Sequence, residues 1–141
     1  GGAGGGSGRE GKGGIEGDPI PLDSKDPGFQ EYLAHVRRKI YEKWGFPCVR
    51  DPVTLRCEYK PASLVIQFGI LRDGKVQFAD IRSASGLAIY DEYAVNAIKL
   101  ASPFQGPPAE MLRRMRPGST GVAIEAHFNY VIETNLRGLL R

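Results

Sequence analysis

Residues 121–132 read GVAIEAHFNYVI, the longest stretch of unbroken apolar alternation in a chain of 141 residues. After Gly121, the side chains of Val122, Ile124, Ala126, Phe128, Tyr130 and Ile132 fall on one side. Ala123, Glu125, His127, Asn129 and Val131 fall on the other. A period of two sustained over this length specifies a strand with one face in a core.

Working outward, Leu64, Ile66, Phe68 and Ile70 alternate in the same way, and Asp73-Gly74 follows before Val76 and Phe78 resume the pattern. The Asp-Gly pair suits a type I′ turn, so the segment predicts an antiparallel hairpin with one apolar face. Continued strictly, the period would bury Asp80 and expose Ile81, which requires the strand to end near Ala79 or a bulge to reset it. Upstream, Asp26-Pro27 sets a capping carboxylate before a proline suited to the first helical position. Phe29, Leu33, Val36, Ile40 and Trp44 then recur at helical spacing until Gly45 and Pro47 stop them. A second helix is expected over 88–101, with Tyr90, Ala94, Ala97, Ile98 and Ala101 on its buried face. Met111 and Leu112 are expected to plug the core below a proline-rich loop. The order α-β-β-α-β predicts an α+β, two-layer domain: a three-stranded antiparallel sheet with two helices packed on one face and the other face wet.

Ten of the nineteen glycines lie within positions 1–17, where almost nothing is available to bury. Residues 1–25 are therefore expected to be a flexible Gly-rich linker, 26–132 the folded domain, and 133–141 a tail that extends the last strand or forms a helical turn. As a coil, residues 1–28 would span roughly 30 Å. The start at Gly-Gly without an initiator methionine is expected of a piece of a longer protein. The sequence contains neither a signal-peptide pattern nor an apolar run near the ~20 residues that cross a bilayer.

Convergent chemistry is scarce. No GxSxG, HExxH, phosphate-binding glycine loop or CxxC occurs, so neither an enzyme nor a cofactor is expected. Cys48 and Cys57 bracket CVRDPVTLRC; two thiols are too few for a zinc site, and neither His35 nor His127 has the spacing to complete one. They suit a disulfide in an oxidising compartment or a pair of buried thiols in a reducing one. From residue 29 onward the net charge is +5, and Arg113, Arg114 and Arg116 crowd one loop. Phe68, Phe78, Phe128 and Tyr130 share the aliphatic faces, however, so no aromatic platform is left for nucleic-acid bases. The arginines read instead as a solvated loop or a rim that steers an acidic partner.

The final strand has one more consequence. A hairpin can saturate only one of its sides, and no proline or lysine interrupts 121–132. An unpaired edge of this kind recruits an extended peptide or a second copy of the chain.

The order of these segments resembles the C-terminal domain of the TonB and TolA family. The resemblance rests on Tyr32-Leu33-Ala34-His35-Val36-Arg37-Arg38-Lys39-Ile40 through Trp44, on Leu64-Val65-Ile66-Gln67-Phe68 and Asp73-Gly74-Lys75-Val76, and on Ser85-Gly86. Tyr90-Asp91 with Ala94 and Ala97-Ile98, Pro103-Phe104 with Pro107-Pro108, and the closing strand complete it. It implies a periplasmic domain, anchored through an N-terminal helix in the inner membrane and coupled to ExbB/ExbD-type motor proteins. Strand 121–131 would bind the TonB box of outer-membrane transporters and transmit force. A TolA-like envelope adaptor using the same sheet edge is the alternative. The Cys48 to Cys57 insertion, and glycine where a proline-rich spacer is usual, depart from the family pattern.

Overall fold

The computed structural model describes residues 13–132 and 136–141. In chain order the elements are β1 (Ile20–Pro21), α1 (Pro27–Tyr41), β2 (Val49–Arg50), β3 (Cys57–Glu58), β4 (Ala62–Leu71), β5 (Val76–Ser83), α2 (Ala88–Ala101), α3 (Ala109–Leu112), β6 (Gly121–Ile132) and β7 (Leu136–Leu140). The fold is α+β, but the sheet has five strands rather than the expected three. Its order is β1-β6-β4-β5, with β7 also pairing β6.

Helix α1 begins as its sequence requires, with the Asp26 carboxylate accepting from the Gly28 N–H at 2.9 Å. Phe29, Tyr32, Leu33, Val36 and Ile40 form its buried face. The helix ends at Tyr41, and a tighter turn, in which the Trp44 N–H donates to the Tyr41 carbonyl at 3.3 Å, carries Trp44 back over the sheet. The small residues Ala94, Ala97 and Ala101 of α2 are buried, which lets its backbone approach the sheet closely. Within α3, Met111 is fully buried, as its position suggests, and Leu112 is partly buried against the core.

β4 and β6 pair antiparallel over ten positions, from Ala62 opposite Tyr130 to Leu71 opposite Gly121. Leu64, Ile66, Phe68 and Ile70 therefore share the helix-covered face with Phe128, Ala126, Ile124 and Val122. The β4–β5 turn is not type I′, because Gly74 alone of its residues has positive φ, at +94°. The Gly74 N–H donates to the Leu71 carbonyl and the Leu71 N–H to the Lys75 carbonyl, both at 2.8 Å. This is a three-residue loop ending in a left-handed glycine. A Cβ on Gly74 would lie 1.9 Å from the Phe104 carbonyl oxygen, so the position admits only glycine.

The register shifts between Gly69 and Ile70 and again between Val65 and Ile66. The first bulge aligns Ala79 with Phe68 and Ile81 with Ile66, which takes Asp80 off the helix-covered face. It also corrects the assignment of Phe78 to that face. Phe78 lies opposite Gly69 on the other face, where a Cβ on Gly69 would be 2.5 Å from both its ring and Ile15.

Ile15 belongs to the stretch expected to be tether. The first twelve residues lie outside the described ones, but from Gly13 the chain packs against the domain. Ile15, Ile20 and Leu22 are buried. The Thr120 N–H donates to the Gly14 carbonyl at 3.0 Å, the Arg116 N–H to the Glu16 carbonyl at 2.9 Å, and Arg37 Nη1 to the Leu22 carbonyl at 2.9 Å. The packed unit thus starts ahead of residue 26. Leu22→Ala should lower unfolding free energy by about 2–5 kcal/mol in a urea titration, whereas a change within a true tether would leave the midpoint in place.

Candidate functional site

The strand expected to offer an open edge is flanked on both sides. On one side it pairs with β4. On the other, β1 runs parallel to it, with Ile20 opposite Ile124 and Pro21 opposite Glu125. Beyond these pairs, the Leu22 N–H donates to the Glu125 carbonyl at 2.9 Å. β7 then takes over in the antiparallel sense, from Leu140 opposite Phe128 to Leu136 opposite Ile132. His127 and Arg141 exchange both backbone hydrogen bonds, at 2.6 and 2.9 Å. The tail thus neither extends β6 nor forms a helical turn: residues 136–140 return as a separate antiparallel strand that covers the edge expected to be free. The signals were faint: a two-residue strand ending in proline, and a five-residue LRGLL with a glycine at its centre.

A pocket of aromatic rings receives β7. Antiparallel pairs alternate between hydrogen-bonded and non-hydrogen-bonded. The His127–Arg141 bonds fix that phase, so Gly138 and Leu140 turn their backbone groups away from β6. The Tyr41 hydroxyl meets both, donating to the Gly138 carbonyl at 2.9 Å and accepting from the Leu140 N–H at 3.0 Å. Trp44 lies beneath Gly138, where an added Cβ would be 2.4 Å from its ring. That ring is wedged edge-on against Phe128 and Tyr130, with centroids 4.9 and 5.1 Å away, and tilted against Tyr41 at 5.7 Å. The indole N–H is buried beside Tyr130, and the ring is positioned by these three aromatic neighbours. Burial pushes the Tyr130 phenol up to about 12, and its hydroxyl donates to the Tyr90 carbonyl at 2.8 Å.

On the outer face of β6, His127 and Glu125 are 3.2 Å apart and exposed. The three arginines divide between two settings. Arg114 pairs with Asp26 and covers the Phe29 ring at 4.9 Å, while the Arg116 backbone binds Glu16. With Arg113 and Arg72, Arg116 borders a shallow hollow at the α3 end of the domain. Cys48 and Cys57 are joined as a disulfide with Cα atoms 4.9 Å apart. The hairpin it closes is tipped by Val53 and Leu55, which point into solvent instead of alternating in a strand. Asp51 organises the tip by accepting from the Val53 and Thr54 N–H groups at 2.7 and 2.8 Å. These bonds hold its carboxyl below the usual carboxylate range. β5 pairs only with β4 among the described strands, and its two register shifts and its Asp80 and Arg82 are features that discourage edge pairing.

The family model for the TonB C-terminal domain matches residues 29–116, well over half of the sequence. The chain belongs to the TonB C-terminal family. The match ends before β6, so the candidate strand is placed by the tertiary structure and not by the matched segment. Among solved structures, the fold is similar to the solution NMR structure of TolAIII bound to a peptide derived from the N-terminus of TolB. That likeness has a TM-score of 0.51 and 16% identity, and it covers 84% of each chain. At this identity it is a likeness of fold. No curated protein sequence matches the chain significantly.

Tyr41→Phe keeps the ring and removes the hydroxyl that links Gly138 and Leu140. It should speed amide exchange at Leu140 while leaving β4 amides protected, at a cost of about 1–2 kcal/mol to β7 docking. A second expectation concerns pH. His35 Nε2 accepts from the Gln105 N–H at 3.1 Å. Burial, followed by the charges of Lys39 and Arg38, lowers the His35 pKa below its usual 6.5. The neutral ring is the one that holds the loop, so this contribution to stability is complete above pH about 6.5 and is lost as pH falls through the lower folded value. Melting temperatures of the parent chain and of His35→Gln should converge as pH drops through this window.

Proposed function

We propose that this TonB-family domain is a periplasmic adaptor that holds an extended peptide of a cell-envelope partner along β6, within the expected stretch 121–131 at its 128–131 end, which β7 and not β1 pairs. In this reading the peptide is the TonB box of an outer-membrane transporter. Force reaches it from an ExbB/ExbD-type motor through an inner-membrane anchor outside the described residues, among which no helix is long and apolar enough to cross a membrane. The observation that carries the proposal is the TonB C-terminal family match over residues 29–116; β7 lies along this part of β6, so a peptide binds there only where β7 gives way. The groups that β6 presents there are backbone N–H and C=O, and any extended chain can satisfy them. A peptide held through several such bonds side by side shares a load across all of them.

A TolA-like role is the second reading. It is favoured by the TolAIII fold neighbour, whose structure contains a peptide from the N-terminus of TolB. Both readings place the peptide on the same strand and differ in its source. NMR titration of the labelled domain with TonB-box peptides and with a TolB N-terminal peptide separates them. Amide shifts centred on His127, Asn129 and Val131 with one peptide set identify the partner class. An unchanged spectrum with both sets would overturn the adaptor reading.

A further inference from the structure

The adaptor reading leaves two of the crowded arginines unused. Arg114 pairs with Asp26, but Arg113 and Arg116 are exposed, and neither guanidinium has an ion pair or hydrogen bond among the described residues. With Arg72 they border a hollow of about 390 Å³ whose remaining lining contains no carboxylate and includes Leu112 and Met115. Backbone hydrogen bonds hold the three residues at this place. The Arg72 N–H donates to the Thr120 carbonyl at 3.1 Å, the Arg113 N–H to the Ala109 carbonyl at 3.0 Å and the Arg116 N–H to the Glu16 carbonyl at 2.9 Å. After Arg116 the chain turns tightly, with the Ser119 N–H donating to the Arg116 carbonyl at 3.0 Å and Gly118 left-handed at φ +84° behind Pro117. Proline followed by such a glycine is the pattern of a type II turn. Arg72 uses its Nη2 on the Ser119 carbonyl at 3.1 Å, which leaves most of its donors free.

We propose that this hollow is a binding site for a phosphomonoester. Three like charges around one hollow repel one another, and an anion seated among them turns that repulsion into attraction. A carboxylate brings one charge and two oxygens, enough to engage a single guanidinium fork in the bidentate manner. A phosphomonoester brings a charge of about −1.5 to −2 and three terminal oxygens, one for each guanidinium. Leu112 and Met115 offer an apolar surface to the carbon side of the ester. The site stands independently of the adaptor reading. It adjoins the Gly121 end of β6, where Leu71 pairs, and β7 pairs the opposite end of that strand.

The test titrates the full chain with glycerol 3-phosphate and, separately, with phosphatidylcholine vesicles containing phosphatidic acid, which carries the same phosphomonoester on a lipid. Binding of the soluble ester, with shifts at the Nε–H signals of Arg72, Arg113 and Arg116, identifies a free ligand. Binding of the vesicles alone identifies a headgroup. In whichever arm binds, Arg113→Gln with Arg116→Gln should weaken the interaction about tenfold or more. Arg38→Gln with Lys43→Gln removes the same number of charges from the end of α1 and should change it by no more than about twofold, because distant exposed charges are screened. All four side chains are exposed, so both double variants should melt with the parent chain. Absence of binding in both arms, or equal weakening by the two double variants, would overturn the proposal. So would acetate that binds the parent chain as tightly as glycerol 3-phosphate.

Discussion

Backbone hydrogen bonding along β6 is the constraint on which the rest of the domain depends. A twelve-residue strand crossing the middle of a sheet exposes two rows of polar groups, and each row left dry and unpaired would be costly. β4 satisfies one row over ten positions. The other is divided between a parallel pair with β1 and an antiparallel ladder with β7. The helix-covered face of β6 meanwhile anchors the core through Val122, Ile124, Ala126, Phe128 and Tyr130. Packing and pairing are thus both organised around one strand. The two segments that complete it come from opposite ends of the described sequence.

The aromatic cluster links this strand to the end of α1. The helix ends at Tyr41. Because it closes in a tighter turn after Tyr41, Trp44 is delivered between Phe128, Tyr130 and Gly138. Tyr41, half exposed, is left with its hydroxyl over the outer backbone of β7. The end of α1 thus supplies both the ring and the hydroxyl that contact β7. Polar groups here register a backbone, whereas the ring selects by shape, and the two kinds of recognition act on consecutive alternate positions.

The disulfide hairpin stands apart from this arrangement. It inserts between α1 and β4, and its strands β2 and β3 pair only with each other. Phe46 and Tyr59, on either side of it, pack edge-on with centroids 5.7 Å apart, and Phe46 also meets Tyr130 at 5.1 Å. The insertion is thereby tied to the core at its base while its tip projects into solvent. The family match over residues 29–116 spans the hairpin, whose two strands stay outside the five-stranded sheet.

The sequence by itself determined the elements whose side chains carry a strong period. Residues 121–132 alternate too regularly to be anything but a strand with one buried face, and α1 and α2 declare their buried stripes and, for α1, its cap. The cysteine spacing admitted the disulfide, and the order of segments pointed to the TonB and TolA family. Only the tertiary structure decided what lies beside β6. Ile20-Pro21 and Leu136 to Leu140 are too short for periodicity to identify, and strand pairing is made by backbone groups that every residue possesses. The bulge that turns Phe78 to the opposite face is likewise invisible locally, because it depends on the register with β4 and on Ile15 filling the space above Gly69. Side-chain pattern is written along the chain, while the partner of a backbone edge is set by which segments the fold brings alongside it.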